Sequence, residues 1–241
     1  MSKRKPSPIH TAGEIRQMLK SGGSAEHASG VQWFFKEEVK SRGWYTVPLR
    51  RAARVERKKI LKERGPEFLL KVADQLFSGN ILEEKIFAVL LLEKLTGNFG
   101  DREFKIFESW LSRISSWADH DGLVHCLIAP MVAAKPARMK CVCRWAKSKD
   151  RWHRRAACVA LIQGRRQGEF FAETTRLANL LLADEDDMVR KGLGWLLRVT
   201  ASVVPRQTVP YLMRIRGKIS RLVLRTACET LPVKARKRVL S

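Results

Sequence analysis

The stretch DRWHRRAACVAL, residues Asp150–Leu161, decides the fold because its pattern occurs three times in the C-terminal half of the chain. It is echoed about 36 positions later by Asp186–Leu197, and a third copy runs over Ser220–Leu231. Each copy begins with an acidic or hydroxyl residue, continues with basic residues and ends in small and large apolar residues. A repeat of this length indicates stacked helical units, since each unit buries its apolar face only against its neighbours.

Apolar residues recur with helical spacing along nearly the whole chain, while Val, Ile and Thr nowhere alternate with the period of two that marks a strand. The sequence therefore predicts an all-α protein. The predicted helices cover residues 13–21, 25–41, 47–63, 67–78, 81–96, 101–116, 120–134, 136–147, 151–165, 168–183, 186–202, 206–215, 218–230 and 233–240.

The repeated pattern resembles the second helix of a HEAT repeat, and Lys85–Leu92 is a looser earlier copy. The resemblance implies an α-solenoid of stacked antiparallel helix pairs, with a concave face lined by the basic residues at the start of successive inner helices. A chain of 241 residues can form one extended domain or two small ones. Because no long linker divides it, residues 13–241 are predicted to be a single domain. Residues 1–12, which combine charge with prolines, are predicted to be a disordered basic tail.

The charge balance points to a polyanionic partner. There are 47 Lys and Arg against 24 Asp and Glu, which gives a formal net charge of +23. Nucleic acid is the simplest such partner, and a concave basic track fits a DNA duplex. No stretch has the length of a transmembrane helix, so we expect no membrane partner. We expect a monomer in the cytoplasm, associated with the nucleoid if the source is bacterial, with its five cysteines reduced.

A tryptophan and a carboxylate lie four residues apart in SSWADHD, residues 115–121. If this stretch is helical, Trp117 and Asp121 share one face. Two structural interpretations stand beside a functional one: Trp117 would be a core residue, and Asp121 would cap the helix that follows. A second tryptophan, Trp195, lies in another predicted helix, in RKGLGWLLR, residues 190–198.

The chain resembles the AlkD-like DNA glycosylases, HEAT-repeat proteins that excise alkylated bases, from about Val31 to Arg225. Three motifs carry the resemblance: the Trp-x-x-x-Asp pair, WHRRAA at 152–157, and GWLLR at 194–198. A Pro-x-Arg-Arg turn at 48–51 adds to it, whereas a second acid, Asp119, departs from the pattern. The resemblance implies catalytic roles for Asp121, Trp117 and Trp195. It places phosphate contacts at Arg155 and Arg198, and we expect Arg50, Arg51, Arg190 and Lys191 to extend them.

The activity implied is hydrolysis of the N-glycosidic bond of N3- or N7-alkylated purines in double-stranded DNA. The family leaves an abasic site, keeps the lesion base stacked and needs no metal or organic cofactor. The alternative is a non-catalytic HEAT-repeat protein that binds duplex or branched nucleic acid, because fold alone does not establish catalysis.

Three other interpretations are weaker. Asp119, His120, Asp121 and His125 are metal-ligating types, but no second cluster completes a shell. Cys141 and Cys143 form a single Cys-x-Cys without a further cysteine or histidine pair in register. Residues 33–35, Trp-Phe-Phe, are expected to pack in the interior rather than to stack on bases, although either phenylalanine could approach a minor groove.

Overall fold

The computed structural model describes residues 6–241, in which regular structure is helical apart from one isolated parallel bridge between Lys40 and Ile81. The all-α prediction is confirmed. Among these helices, none combines the length and apolar character that a membrane-spanning segment requires. The helices are α1 (Pro8–Ser21), α2 (Ala25–Val31), α3 (Thr46–Phe77), α4 (Leu82–Leu92), α5 (Asp101–Trp110), α6 (Trp117–Leu123), α7 (Ala129–Ala134), α8 (Met139–Trp145), α9 (Arg151–Val159), α10 (Ile162–Arg166), α11 (Phe171–Leu180), α12 (Asp187–Val203), α13 (Pro205–Ile215), α14 (Arg221–Ala227) and α15 (Val233–Leu240).

The internal contacts divide the chain into two compact units, one ending at Leu127 and the other beginning at Ile128. We call them the N-terminal and the C-terminal unit. Each has buried apolar residues of its own, such as Leu69 and Phe87 in the first and Leu196 and Leu212 in the second. A single domain over residues 13–241 stays a prediction.

The first helix begins earlier than predicted. The hydroxyl of Ser7 accepts a hydrogen bond from the His10 amide at 3.2 Å, and Pro8 occupies the first helical position. Ala12 is fully buried in the N-terminal unit, where α1 packs against α3. The predicted disordered tail is therefore wrong for residues 8–12, and its first five residues lie outside the described part of the chain.

The predicted helix over 25–41 is wrong after Val31. A 3-10 turn follows at Gln32–Phe34, and the chain then runs without regular helix to Tyr45. Side chains take over the backbone groups that a helix would have satisfied. The Gln32 amide donates to the Glu37 carbonyl at 2.8 Å and accepts from the Val39 amide at 2.9 Å.

The break predicted at Gly65-Pro66 is confirmed within the long basic helix α3. Gly65 has φ of 79° and ψ of 178°, a conformation that L side chains rarely adopt, and Pro66 begins the second half. α3 packs on α4, whose residues are buried apart from Ile86. The predicted helix over 120–134 instead begins at Trp117 and is interrupted by a π turn over Val124–Ile128.

The three repeat copies correspond to α9, α12 and α14 in the C-terminal unit. The first residue of each copy caps its helix: Asp150 accepts from Trp152 N at 2.8 Å, Asp186 from Met188 N at 2.8 Å and Ser220 from Val223 N at 3.4 Å. α12 packs against both α9 and α14. The repeat predicted from the sequence is therefore a set of capped helices that stack on one another.

Two glycines let α12 approach its neighbours closely. A Cβ atom at Gly192 would lie 3.2 Å from Arg155 Cγ on α9, and one at Gly194 would lie 3.0 Å from Thr226 Cβ on α14. Contacts of that length are tighter than ordinary van der Waals packing. Gly192 and Gly194 therefore allow α12 to pack closely on α9 and α14. This packing determines the position of Trp195.

Candidate active site

A buried charged turn at the start of α4 positions the candidate site in the N-terminal unit. Glu83, Glu84 and Lys85 are each no more than 3% exposed. The Glu83 carboxylate accepts from the Gly43 amide at 2.9 Å and holds the loop before α3. The Lys85 ammonium donates to the Arg113 carbonyl, to Ser115 Oγ at 2.5 Å and to Asp119 Oδ2 at 3.1 Å. The Lys85 side chain therefore holds residues 113–115, the segment that leads into α6, in place.

Asp119 completes the start of α6. Its Oδ1 accepts from the amide and the hydroxyl of Ser116 at 2.7 and 2.6 Å, and its Oδ2 accepts from the Ser115 amide at 2.9 Å. The residue is 1% exposed, and its carboxylate also forms the ion pair with Lys85. Asp119 is thus a structural acid that caps the helix. The hypothesis that Asp121 is the capping residue is wrong.

Asp121 lies one turn after Trp117 on the same helix, the arrangement expected if residues 115–121 are helical. Its Oδ1 lies 2.7 Å from Nδ1 of the fully buried His120, while 23% of the Asp121 side chain is exposed. The imidazole fixes the orientation of a carboxylate that solvent can reach. Such a group can stabilise a developing cation or orient a water molecule.

Trp117 is half-buried and lies outside the fully packed core. Its ring stacks on Phe35 with the ring centroids 5.1 Å apart and an angle of 21° between the planes. Its indole Nε1 donates to the Phe34 carbonyl at 3.2 Å. The ring lines a pocket of about 510 Å³, together with Ala118 and Gly122. Trp117 is therefore a pocket-lining residue and not the core residue that the structural interpretation expected.

The prediction of packing for residues 33–35 is correct only for Phe35, the residue that contacts the Trp117 ring. Phe35 packs against the ring of Trp117, in agreement with its predicted role in packing. Trp33 and Phe34, in contrast, are 90% and 73% exposed, so the prediction that they pack in the interior is wrong. Cys126 also lines the pocket, and burial raises the pKa of its thiol. Its low thiolate content makes it a poor nucleophile.

In the C-terminal unit, α12 carries the second predicted tryptophan. Lys191, Trp195 and Arg198 are spaced to share one face of this helix. Lys191 is exposed and Trp195 is half-buried. Arg198 Nη1 donates to Glu229 Oε2 at 2.7 Å, with about two fifths of its side chain exposed. This face offers cations beside an aromatic ring, a combination suited to nucleic acid.

The other predicted phosphate contacts lie in different environments. Arg50 and Arg51 are exposed on α3, where Arg50 approaches Glu93 at 3.4 Å. Arg190 Nε donates to the Asp184 carbonyl at 2.7 Å. Arg155 is only 6% exposed and donates to the Met188 carbonyl at 2.6 Å, a role in the seating of α12. Contact of Arg155 with a phosphate stays a prediction.

The acid–histidine cluster around Asp119 and the Cys141–Cys143 pair are the two groups whose residue types suggested metal binding. Asp119 is used by the helix cap and by Lys85, and His120 is bonded to Asp121. Across residues 6–241, no group of three or more His, Cys, Asp and Glu side chains is placed to hold a metal ion. The five cysteines form no disulfide; Cys158 and Cys228 are buried and the other three are half-buried.

The family model of the DNA alkylation repair enzymes matches residues 15–231. No curated protein matches the chain significantly. The solved structure of a predicted DNA alkylation repair enzyme from Enterococcus faecalis is similar, with a TM-score of 0.79 and 15% identity over 88% of this chain and 97% of that one.

AlkD2 from Streptococcus mutans is also similar in structure, with a TM-score of 0.57 and 18% identity over 85% of this chain and 97% of that one. At such identities the similarity shows the fold alone, and that fold is the AlkD-like helical solenoid predicted from the sequence repeat. Because the family model spans most of its length, the chain belongs to the AlkD-like DNA alkylation repair enzyme family.

Proposed function

We propose that this protein is a monofunctional DNA glycosylase that acts on N3- or N7-alkylated purines in double-stranded DNA and leaves an abasic site. The observation that carries the proposal is the arrangement on α6. Asp121 is solvent-accessible and oriented by His120, and it lies one turn from the half-buried ring of Trp117. The neighbouring acid, Asp119, is engaged in the helix cap and in the ion pair with Lys85, whereas 23% of the Asp121 side chain is exposed to solvent.

The reaction needs little from the protein because the substrate is already activated. Alkylation at N3 or N7 puts a positive charge on the purine, which weakens its bond to C1′ of the deoxyribose. As this bond breaks, its electron pair leaves with the purine and neutralises the charge, and an oxocarbenium-like sugar forms. Water then adds to C1′ and loses its proton to a carboxylate or to solvent.

In this proposal Asp121 stabilises the sugar cation and orients the water. By resemblance to the family, Trp117 and Trp195 are assigned as the aromatic residues that contact the deoxyribose, where π density is attractive to a cation. The lesion base stays stacked in the duplex, so discrimination comes mainly from the charge and lability of the lesion. No metal or organic cofactor takes part.

Binding to DNA in this proposal rests on charge. The formal net charge is +23, and exposed cations lie on α3 and α12, the helices that carry Arg50 and Arg51 in one unit and Lys191 and Arg198 in the other. Arg155 and Arg190 are included as phosphate contacts by resemblance to the family. Such contacts position a duplex without reading its sequence. We propose a monomer that works in the cytoplasm, at the nucleoid in a bacterium.

Release of 7-methylguanine from a methylated duplex tests this function. We expect base release well above the spontaneous rate measured without protein, together with abasic sites that are cleaved by mild alkali. If the protein binds the duplex but releases no base above the spontaneous rate, the alternative holds, and the protein is a non-catalytic scaffold for duplex or branched nucleic acid.

A further inference from the structure

We propose that Trp33 and Phe34 form an aromatic wedge that enters the minor groove of duplex DNA at a base step that does not include the lesion and unstacks the two base pairs of that step. The inference deepens the proposed function, since it takes duplex DNA as the partner. It adds a contact with the bases to a binding mode otherwise made of phosphate contacts.

The exposure of these two rings is unusual for their residue types. Trp33 is 90% exposed and Phe34 is 73% exposed, whereas Trp110 and Trp145 are almost completely buried. Tryptophan is highly buried on average, and a contiguous exposed apolar patch marks a binding surface more often than chance. Two adjacent exposed rings therefore indicate a partner that covers them.

The turn that carries the rings is held in one conformation. The Gln32 side chain bonds to the backbone of Phe35, Glu37 and Val39, at 3.3, 2.8 and 2.9 Å. These bonds close a loop across the residues that follow the wedge. A pre-organised aromatic group loses little conformational entropy on binding, which favours insertion over a contact made by a mobile loop.

The same turn is joined to the candidate active site. Trp117 stacks on Phe35 and donates from its indole nitrogen to the Phe34 carbonyl. Trp33 therefore directly precedes the residue whose carbonyl is bonded to α6. Insertion of the wedge into DNA would set the position of the duplex relative to Trp117 and Asp121.

The charge around the wedge fits DNA. Residues 36–40, Lys-Glu-Glu-Val-Lys, carry no net charge, so the turn itself does not repel a polyanion. Arg50 lines the same pocket as Phe34, and the α3 segment that carries Arg50 continues with exposed Arg51 and Arg54. Minor-groove proteins commonly combine cations with an apolar side chain that enters between base steps. The surroundings match that combination.

The test uses unmodified duplexes that carry a single 2-aminopurine, whose fluorescence rises when it is unstacked. We expect wild-type protein to raise this fluorescence at saturation and Trp33→Ala to lose most of the rise. Because stacking of one base on an aromatic side chain is worth a substantial share of binding energy, duplex affinity should fall by roughly tenfold. The dependence of affinity on salt should stay unchanged, since phosphate contacts remain.

Two further variants make the test decisive. Trp33→Phe keeps an aromatic ring and should retain a large part of the fluorescence rise. Val233→Ala removes an apolar side chain that is 70% exposed in the C-terminal unit, and it should behave as wild type. Circular dichroism confirms that each variant is folded. Binding without a fluorescence rise, or a rise that Trp33→Ala leaves intact, overturns the wedge.

The outcome is separable from that of the proposed function because no lesion is present and no excision is needed. A fluorescence rise in a protein that releases no 7-methylguanine would support the wedge and overturn the glycosylase. Base release without unstacking would do the reverse. A protein that shows no affinity for duplex DNA would overturn both.

Discussion

The carboxylates of Asp119 and Asp121 lie two residues apart on α6 and are bonded to different partners. Asp119 is 1% exposed and bonded to Ser115, Ser116 and Lys85. Asp121 is bonded to His120, and 23% of its side chain reaches solvent. The acid that departs from the family pattern thus stabilises the helix, and the acid that matches the pattern is the one that solvent reaches.

Asp119→Ala should lower the free energy of unfolding far more than Asp121→Asn. Loss of Asp119 leaves the Lys85 ammonium buried without its ion pair, which costs about 3–5 kcal/mol. Asp121→Asn keeps a side-chain oxygen that can accept from His120 Nδ1, and the side chain is partly exposed, so we expect a loss of about 1 kcal/mol or less. Urea unfolding of the two variants measures the difference. Equal losses would contradict the separate roles of the two acids.

Gly43→Ala should be strongly destabilising, whereas Gly13→Ala should not. Gly43 has φ of 73°, and a Cβ atom there would lie 1.9 Å from the Ser24 carbonyl oxygen. A Cβ atom at Gly13, inside α1, would meet nothing within 4 Å. We expect a loss of at least about 2 kcal/mol at Gly43 and a gain of about 0.5–1 kcal/mol at Gly13, from strain and helix propensity respectively. Thermal unfolding of the pair tests both signs.

The stability of the C-terminal unit should fall at high pH through Tyr211. Burial raises the pKa of Tyr211 to about 12, and its hydroxyl lies 3.2 Å from the Thr175 carbonyl and 3.0 Å from Asn179 Oδ1. The folded protein therefore holds this proton more tightly than the unfolded chain. The resulting stability is fully present below about pH 10, the ordinary pKa of tyrosine, and is lost between about pH 10 and 12.

Tyr211→Phe should remove this part of the pH dependence. The difference in unfolding free energy between wild type and variant should shrink by roughly 1–2 kcal/mol from pH 9 to pH 11.5, in line with the linkage relation. Denaturant unfolding at the two pH values gives the comparison, and the shared titration of lysines cancels between the proteins. A difference that stays constant with pH would show that Tyr211 ionises with its ordinary pKa.

Duplex affinity should fall steeply with salt, and Arg51→Ala should reduce the slope. Removal of one cation that binds a phosphate lowers the slope of log K against log salt by about 0.9. Lys105→Ala, which removes an exposed cation on α5 that is not among the proposed contacts, is the matched control and should leave the slope unchanged. Fluorescence anisotropy at several salt concentrations measures both. Identical slopes for wild type and Arg51→Ala would exclude Arg51 from the phosphate contacts.

Local signals in the sequence predicted much of the fold. The caps Asp150, Asp186 and Ser220 bond to amides two or three residues away, so a repeated cap followed by an apolar stripe locates α9, α12 and α14. The break at Gly65 is equally local, because a proline follows a residue that can adopt positive φ. Trp117, in contrast, lay just outside the predicted helices, and the structure extends the helix of Asp121 back to it.

The segment between α2 and α3 could not be predicted in this way. Its apolar residues read as a helix, but its conformation depends on the Glu83 carboxylate, which binds the Gly43 amide from 40 residues along the chain. The start of α6 depends in the same manner on Lys85, a buried cation that looked like part of an apolar repeat. Distant charged side chains thus decided the structure around the candidate site.

The central claim is that Asp121 acts in catalysis, and single-turnover excision of 7-methylguanine by Asp121→Asn tests it most directly. We expect the rate to fall by at least about 100-fold, the usual effect of removing a group that stabilises transition-state charge. Duplex affinity should stay within about twofold of wild type, because the change removes no cation. An excision rate close to that of wild type, in a variant shown to be folded and bound to DNA, would contradict the account.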